Sequence, residues 1–175
     1  MTLSRFGLAL VALCGMAAPT LAQDNGMKQL GTFKSWTAWT GSDANGVMCY
    51  ISAEPEDWQP KEANGNPVKR DPIHFLVINR KALGTKNEVQ TLVGYPLSTS
   101  VAITVAIDGN AYPMIVEGEA AWLANESDEP TFVEAMKGGS KLVVNGTSQR
   151  GTKLTDTYNL SGVTAALGEI TKACS

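Results

Sequence analysis

Val101-Ala102-Ile103-Thr104-Val105-Ala106-Ile107, followed by Asp108-Gly109-Asn110 and then Ala111-Tyr112-Pro113-Met114-Ile115-Val116-Glu117, decides the fold class. In the first run the large aliphatic residues Val101, Ile103, Val105 and Ile107 alternate with Ala102, Thr104 and Ala106. That period of two puts them on one face of an extended chain. Asp-Gly between two such runs marks a tight turn, because both residue types tolerate the positive φ a hairpin loop requires. The stretch reads as a β-hairpin and the chain as mainly β.

Working outward, further strands are expected at 33–39, 47–52, 73–79, 88–95, 120–123, 141–148 and 154–160. Gly41-Ser42-Asp43-Ala44-Asn45-Gly46 supplies the turn between the first two, and Arg150-Gly151 the turn between the last two. The polar residues 23–31 read as a loose terminus. Residues 54–72, with prolines at 55, 60, 67 and 72, read as a long surface loop. Two late helices are expected. The first lies near 131–137, where Thr131 and Glu134 have capping-box spacing and Gly138-Gly139 ends it. The second lies near 161–173, with Ser161 as N-cap and Val163, Leu167, Ile170 and Cys174 on one face. About eight short strands with two late helices imply a β-sandwich rather than an α/β sheet.

The ends of the chain bound its compartment. Arg5, the apolar run 6–18 and Thr20-Leu21-Ala22 form a secretory signal over residues 1–22, cleaved after Ala22, leaving a single domain over 23–175. Cys14 falls inside the apolar run behind Leu13, which is not the small residue that lipid attachment needs, so ordinary cleavage is expected. Export leaves Cys49 and Cys174 in an oxidising compartment, where they are expected to be disulfide-bonded. A charge of −3 without a long basic run argues against nucleic-acid binding. No later segment approaches the ~20 apolar residues of a membrane span.

Candidate chemistry is sparse. His74 is the single histidine, so neither a metal cluster nor a Ser-His-Asp arrangement has much to build on, and no Gly-x-Ser-x-Gly elbow occurs. Glu117, Glu119, Glu126, Asp128 and Glu129 form an acidic stretch without calcium-loop spacing. Lys69-Arg70 and Arg80-Lys81 flank one strand and read as solvated charges, with a small basic patch for anionic glycans or lipopolysaccharide as the other reading. Of the tryptophans at 36, 39, 58 and 122, Trp58 in the proline-rich loop is the candidate partner contact, against covering the sandwich edge. Arg150 at a hairpin tip is the second candidate. No catalytic, cofactor-binding or metal-binding residue is assigned.

The blocks Ala135-Met136-Lys137-Gly138-Gly139-Ser140, Gly146-Thr147-Ser148, Arg150-Gly151-Thr152, 155–162 (Thr-Asp-Thr-Tyr-Asn-Leu-Ser-Gly), Thr164-Ala165-Ala166-Leu167 and Ala173-Cys174 resemble the invasion-associated locus B family. So do Trp36, Cys49-Tyr50-Ile51, Asn87-Glu88-Val89, Gly94-Tyr95-Pro96, Ile107-Asp108-Gly109 and Ala121-Trp122. The resemblance implies an exported α-proteobacterial envelope protein with an immunoglobulin-like β-sandwich and a role in host-cell invasion. It carries no catalytic residues across. The functional expectation is a non-enzymatic periplasmic or envelope-associated binding module. It has no cofactor, and its partner is an unidentified envelope or host macromolecule, with peripheral association to the outer membrane. The alternative is an envelope hydrolase of glycan or peptide, which would need Glu88, Glu117 or Asp156 paired with a second carboxylate.

Overall fold

The structure is a computed structural model that describes residues 26–59 and 70–175. The signal sequence expected over residues 1–22, with Cys14, and Lys69 lie outside the described residues. Eleven strands form in chain order: β1 (Lys28–Phe33), β2 (Trp36–Asp43), β3 (Gly46–Ala53), β4 (Asp57–Gln59), β5 (His74–Arg80), β6 (Thr85–Leu92), β7 (Ile103–Ile107), β8 (Asn110–Glu117), β9 (Ala120–Leu123), β10 (Lys141–Thr147) and β11 (Lys153–Asn159). Two α-helices also lie among the described residues, α1 (Glu129–Gly138) and α2 (Val163–Ala173).

Hydrogen bonding runs through all the strands in the antiparallel order β1-β2-β3-β5-β6-β9-β8-β7-β10-β11-β4. Within it, β6-β9-β8-β7 is a Greek key, since β7, β8 and β9 follow one another by hairpins and β9 returns beside β6. The sheet also doubles back on itself. In a flat sheet β5 and β11 would lie about 30 Å apart at ~4.8 Å per strand. Instead Phe75 on β5 meets Tyr158 on β11 at 5.6 Å between ring centroids. Trp36 Nε1 on β2 donates to the Asn159 carbonyl at 2.9 Å. Two facing layers with a shared core make this the expected mainly-β sandwich.

Both helices pack into the same interior. Phe132 of α1 stacks on Phe75 at 6.2 Å and meets Tyr112 edge-on at 5.0 Å. α2 buries Val163, Ala166, Leu167 and Ile170 against β1, β2 and β3. The apolar stripe carries Cys174 inward to Cys49 on β3, and the two are joined by a disulfide with Cα atoms 6.0 Å apart.

Several local expectations are corrected. Residues 28–33 are strand β1 rather than a loose terminus, paired to β2 across a turn at Lys34-Ser35, where Lys34 adopts φ 53°. That turn splits the strand expected at 33–39, and no glycine or proline marks it. The 54–72 segment is not all loop, because β4 pairs with β11 and carries Trp58. The strand expected at 88–95 begins three residues earlier, after Gly84 in the left-handed region. The one expected at 101–107 begins at Ile103. Helix α1 starts at Glu129 with Pro130 in its first turn, so Thr131 is inside the helix and no capping box forms. Gly162, not Ser161, caps α2, with φ 94° and so little space that an added Cβ would overlap the Phe33 carbonyl oxygen. Gly162→Ala should therefore cost more than about 1 kcal/mol, read as a lowered Tm.

Candidate functional site

Residues directly opposed across an antiparallel sheet project to the same side, so the register identifies what each face carries. Ala38, Ile51, Val77, Val89 and Ala121 line the inner face and are fully buried. The alternate positions form a row across six strands, Thr37–Ser52–Leu76–Gln90–Trp122–Ile115. Beside it runs a second row, Trp39–Tyr50–Ile78–Glu88. These outward rows are rich in aromatic and aliphatic side chains. Trp39, Tyr50, Leu76 and Trp122 remain half-exposed, and Ile115 is 57% exposed. Trp39 stacks on Tyr50 at 6.2 Å and 19°, and its Nε1 donates to Ser52 Oγ at 2.9 Å. The indole is thus anchored by Tyr50 and Ser52 on the neighbouring strand. Burial pushes the Tyr50 hydroxyl pKa up, so it stays a neutral hydrogen-bonding group at physiological pH.

The inner layer holds a second unusual cluster. Arg70 donates from Nη1 to Asp156 Oδ1 at 2.7 Å and from Nη2 to Oδ2 at 2.8 Å, with side-chain exposures of 1% and 0%. Its Nε also donates to the Val93 carbonyl at 2.8 Å, and its guanidinium lies 4.7 Å from the Tyr95 ring centre. Burial pushes the Asp156 carboxyl up, and the hydrogen bonds and charge of Arg70 pull it back down, with the net direction upward. Tyr158, two residues along β11, is pushed up by burial and by the neighbouring carboxylate. This is a sealed structural ion pair, far from the exposed basic patch that Lys69-Arg70 offered in sequence.

The other candidates separate. Trp58 sits half-buried on edge strand β4 opposite Asp156, which turns its ring toward the inner layer and the sandwich edge. Arg150 is exposed at the β10–β11 tip, six residues from Asp156 along the chain, so the two are not brought together. His74 is partly buried at the start of β5, and its Nδ1 has no hydrogen-bond partner among the described residues. Glu117 is exposed at the end of β8. Arg80 grips Glu88 through Nη1 at 2.8 and 2.9 Å and reaches Asp43 at 3.6 Å.

Glu88 does share an open groove of about 420 Å³ with Glu126 and Glu129. Burial pushes the Glu129 carboxyl up, the Val89 amide that it accepts at 3.3 Å pulls it down, and Glu88 and Glu126 push it further up. No group of three or more His, Cys, Asp or Glu residues is arranged to hold a metal ion among the described residues. No helix among them is long and apolar enough to cross a membrane.

Sequence reasoning missed the outer face. Its signal was present in the uninterrupted apolar run Leu76-Val77-Ile78, which loads both faces of one strand.

Comparison with known proteins agrees with this architecture. A family model described as "Invasion associated locus B (IalB) protein" matches residues 40–171. The crystal structure of invasion associated protein B from Bartonella henselae superposes with a TM-score of 0.54 at 13% identity, covering 82% of this chain and 96% of that one. At that identity the likeness is one of fold. None of the curated proteins matches the chain.

Proposed function

Because the chain belongs to the invasion associated locus B (IalB) family, we propose that it is an exported, non-enzymatic binding module of the bacterial envelope, with a part in host-cell invasion. The observation that carries the reading is the outer sheet face. Trp39, Tyr50, Leu76, Trp122 and Ile115 leave partly exposed aromatic and aliphatic surface in a band across that face, with polar Ser52 and Gln90 among them and Thr37 at one end. Apolar surface left accessible on one face marks an interaction site, and Trp and Tyr supply much of the energy at such sites. Export and cleavage after Ala22, the periplasmic or envelope location and the invasion role belong to this proposal. They are supported by the residue pattern at 1–22 and by the family. Trp58 and Arg150 stand as secondary contacts outside the band.

Of the carboxylates that the hydrolase alternative would need, Asp156 is sealed in its pair with Arg70 and Glu117 stands apart on β8. Glu88, held by Arg80, shares its groove with Glu126 and Glu129, which is the one arrangement that favours that second reading.

The test is photo-cross-linking in living cells of the source organism, with the reactive residue at position 115 or, as a control, at exposed Lys153. A discrete macromolecular adduct from position 115 alone is expected. Ile115→Asp should cut capture of that partner about tenfold or more, while stability stays within about 0.5 kcal/mol. Identical adducts from both positions, or none from 115, would refute the face as the binding surface.

A further inference from the structure

We propose that a notch in the sheet beside Ile115 takes the main chain of a short apolar peptide segment, which makes the partner of the outer face a polypeptide. The inference deepens the binding-module reading and rests on it. The notch lies where the β7–β8 ladder stops. Ile103 and Met114 are the last paired residues of that hairpin. The chain next meets this end of β8 where the Leu97 amide donates to the Gly118 carbonyl at 2.9 Å. Residues 98–102 arch away between these two points, being longer than the 115–117 stretch they face. An open groove of about 350 Å³ lies between them and residues 114–116.

Hydrogen-bond parity leaves one donor and one acceptor of β8 over. Asp108 and Gly109 both have positive φ, 47° and 95°, so the hairpin turns through these two residues and Ile107–Asn110 is a hydrogen-bonded pair. Pairs of that kind recur at every second residue, which makes Tyr112 and Met114 the next residues of β8 to bond to β7. Val116 therefore aims its N–H and C=O the same way, past the end of β7. The next hairpin gives the same parity, since Glu117 pairs with Ala120 at its turn, and Glu117 and Ile115 bond to β9. No strand pairing, turn bond or loop bond among the described residues takes either main-chain group of Val116.

A free donor and acceptor side by side on a strand are the template for strand addition. The lining suits a peptide in its other respects. Val101 and Ile115, 46% and 57% exposed, flank the groove. No ionisable side chain lines it, so a charged ligand finds no counter-charge, whereas a neutral amide finds partners for both its dipole ends. Ser98, Thr99 and Ser100 add hydroxyls. Ile115 also belongs to the outer band, which makes notch and band one surface.

The same geometry limits the length of the insert. Ile103 and Leu97 close the notch at both ends along β8, opposite positions 114 and 118, about 14 Å apart at ~3.4 Å per residue. A long strand does not fit between them. The insert enters across β8, as a chain end or the tip of a loop, and a single residue exchanges both hydrogen bonds with Val116.

The test is titration of the disulfide-bonded protein with acetyl-Ala-Val-Ala-amide, followed by backbone amide NMR. In the free protein the Val116 amide should exchange with solvent faster than that of Met114, which is bonded in the ladder. The peptide should slow that exchange and give saturable shifts at Val116 and residues 98–102. Methylating the valine nitrogen of the peptide should weaken binding about tenfold or more, as should Val101→Asp, a variant that melts as the parent does. No shift at Val116 up to tens of millimolar peptide would overturn the notch, as would equal binding of the methylated peptide. That failure, with capture through position 115 intact, would remove the notch and leave the binding-module reading standing. Capture of a glycan or lipid through position 115 would overturn the polypeptide partner. Saturable peptide binding without any capture through 115 would refute the wider face and keep the notch.

Discussion

Arg70→Met should destabilise the protein by about 3 to 5 kcal/mol, because it leaves the Asp156 carboxylate buried without its partner. Natural domains are stable by only about 5 to 15 kcal/mol, so the variant should be close to unfolding at ambient temperature. The Coulomb gain of the native pair is offset by the cost of taking both ions out of water. The double variant Arg70→Met with Asp156→Leu should therefore recover most of the loss, or exceed the parent.

The pH response follows from the same balance. Burial already pushes the Asp156 carboxyl up, and removing Arg70 removes what pulls it down. A carboxyl that titrates higher in the folded state than in the unfolded one makes folding less favourable as pH rises between the two values. The deficit of Arg70→Met should thus shrink as pH falls through the raised Asp156 value, because the buried group becomes neutral. Urea unfolding at several pH values measures both effects. A loss below 1 kcal/mol, or a deficit that grows on acidification, would show that the pair is not buried as described.

Reducing the Cys49–Cys174 bond should cost a comparable amount, about 4 to 5 kcal/mol. The bond closes a separation of 125 residues and so removes much of the freedom of the unfolded chain. Cys49→Ala with Cys174→Ala should melt at a lower temperature than the parent, and reductant should lower the parent's Tm but leave the variant unchanged. The bond also ties the end of α2 to β3, so amides of α2 should lose hydrogen-exchange protection before those of β5 and β6. Equal alkylation of both cysteines with and without reduction would contradict the bond itself.

Legibility in the sequence followed the range of the interactions. The β7–β8 hairpin was visible because its two determinants, alternation and Asp108-Gly109, are adjacent in the chain, and the structure pairs Ile107 with Asn110 around them. The stripe on α2 was visible because helical spacing is also local, and it correctly carried Cys174 inward. Strand β4 was hidden because three residues beside prolines show no period, and only pairing with β11, about a hundred residues later, makes them a strand. The expected helix caps failed for a related reason. Thr131 and Ser161 have the right chemistry, but the helix starts were placed by Pro130 and by the close approach of Gly162 to Phe33.

The site divides along the same line. Asp156 and Arg70 were each noticed in sequence, one as a carboxylate that the alternative hydrolase reading could use and one as a solvated surface cation, and neither role survives their burial against each other. Trp39 and Trp122 were legible as tryptophans, but that they share a face with Tyr50 and Ile115 depends on five successive strand registers.

What the amino-acid sequence determined by itself was therefore local and compositional: alternating strands, an inward helical stripe, two cysteines and the family to which the chain belongs. Tertiary structure alone decided which face each side chain presents and which charges are sealed in pairs. Those outcomes depend on contacts between residues tens to over a hundred positions apart, and the free energy of such contacts is set by burial and register that no short stretch of chain encodes.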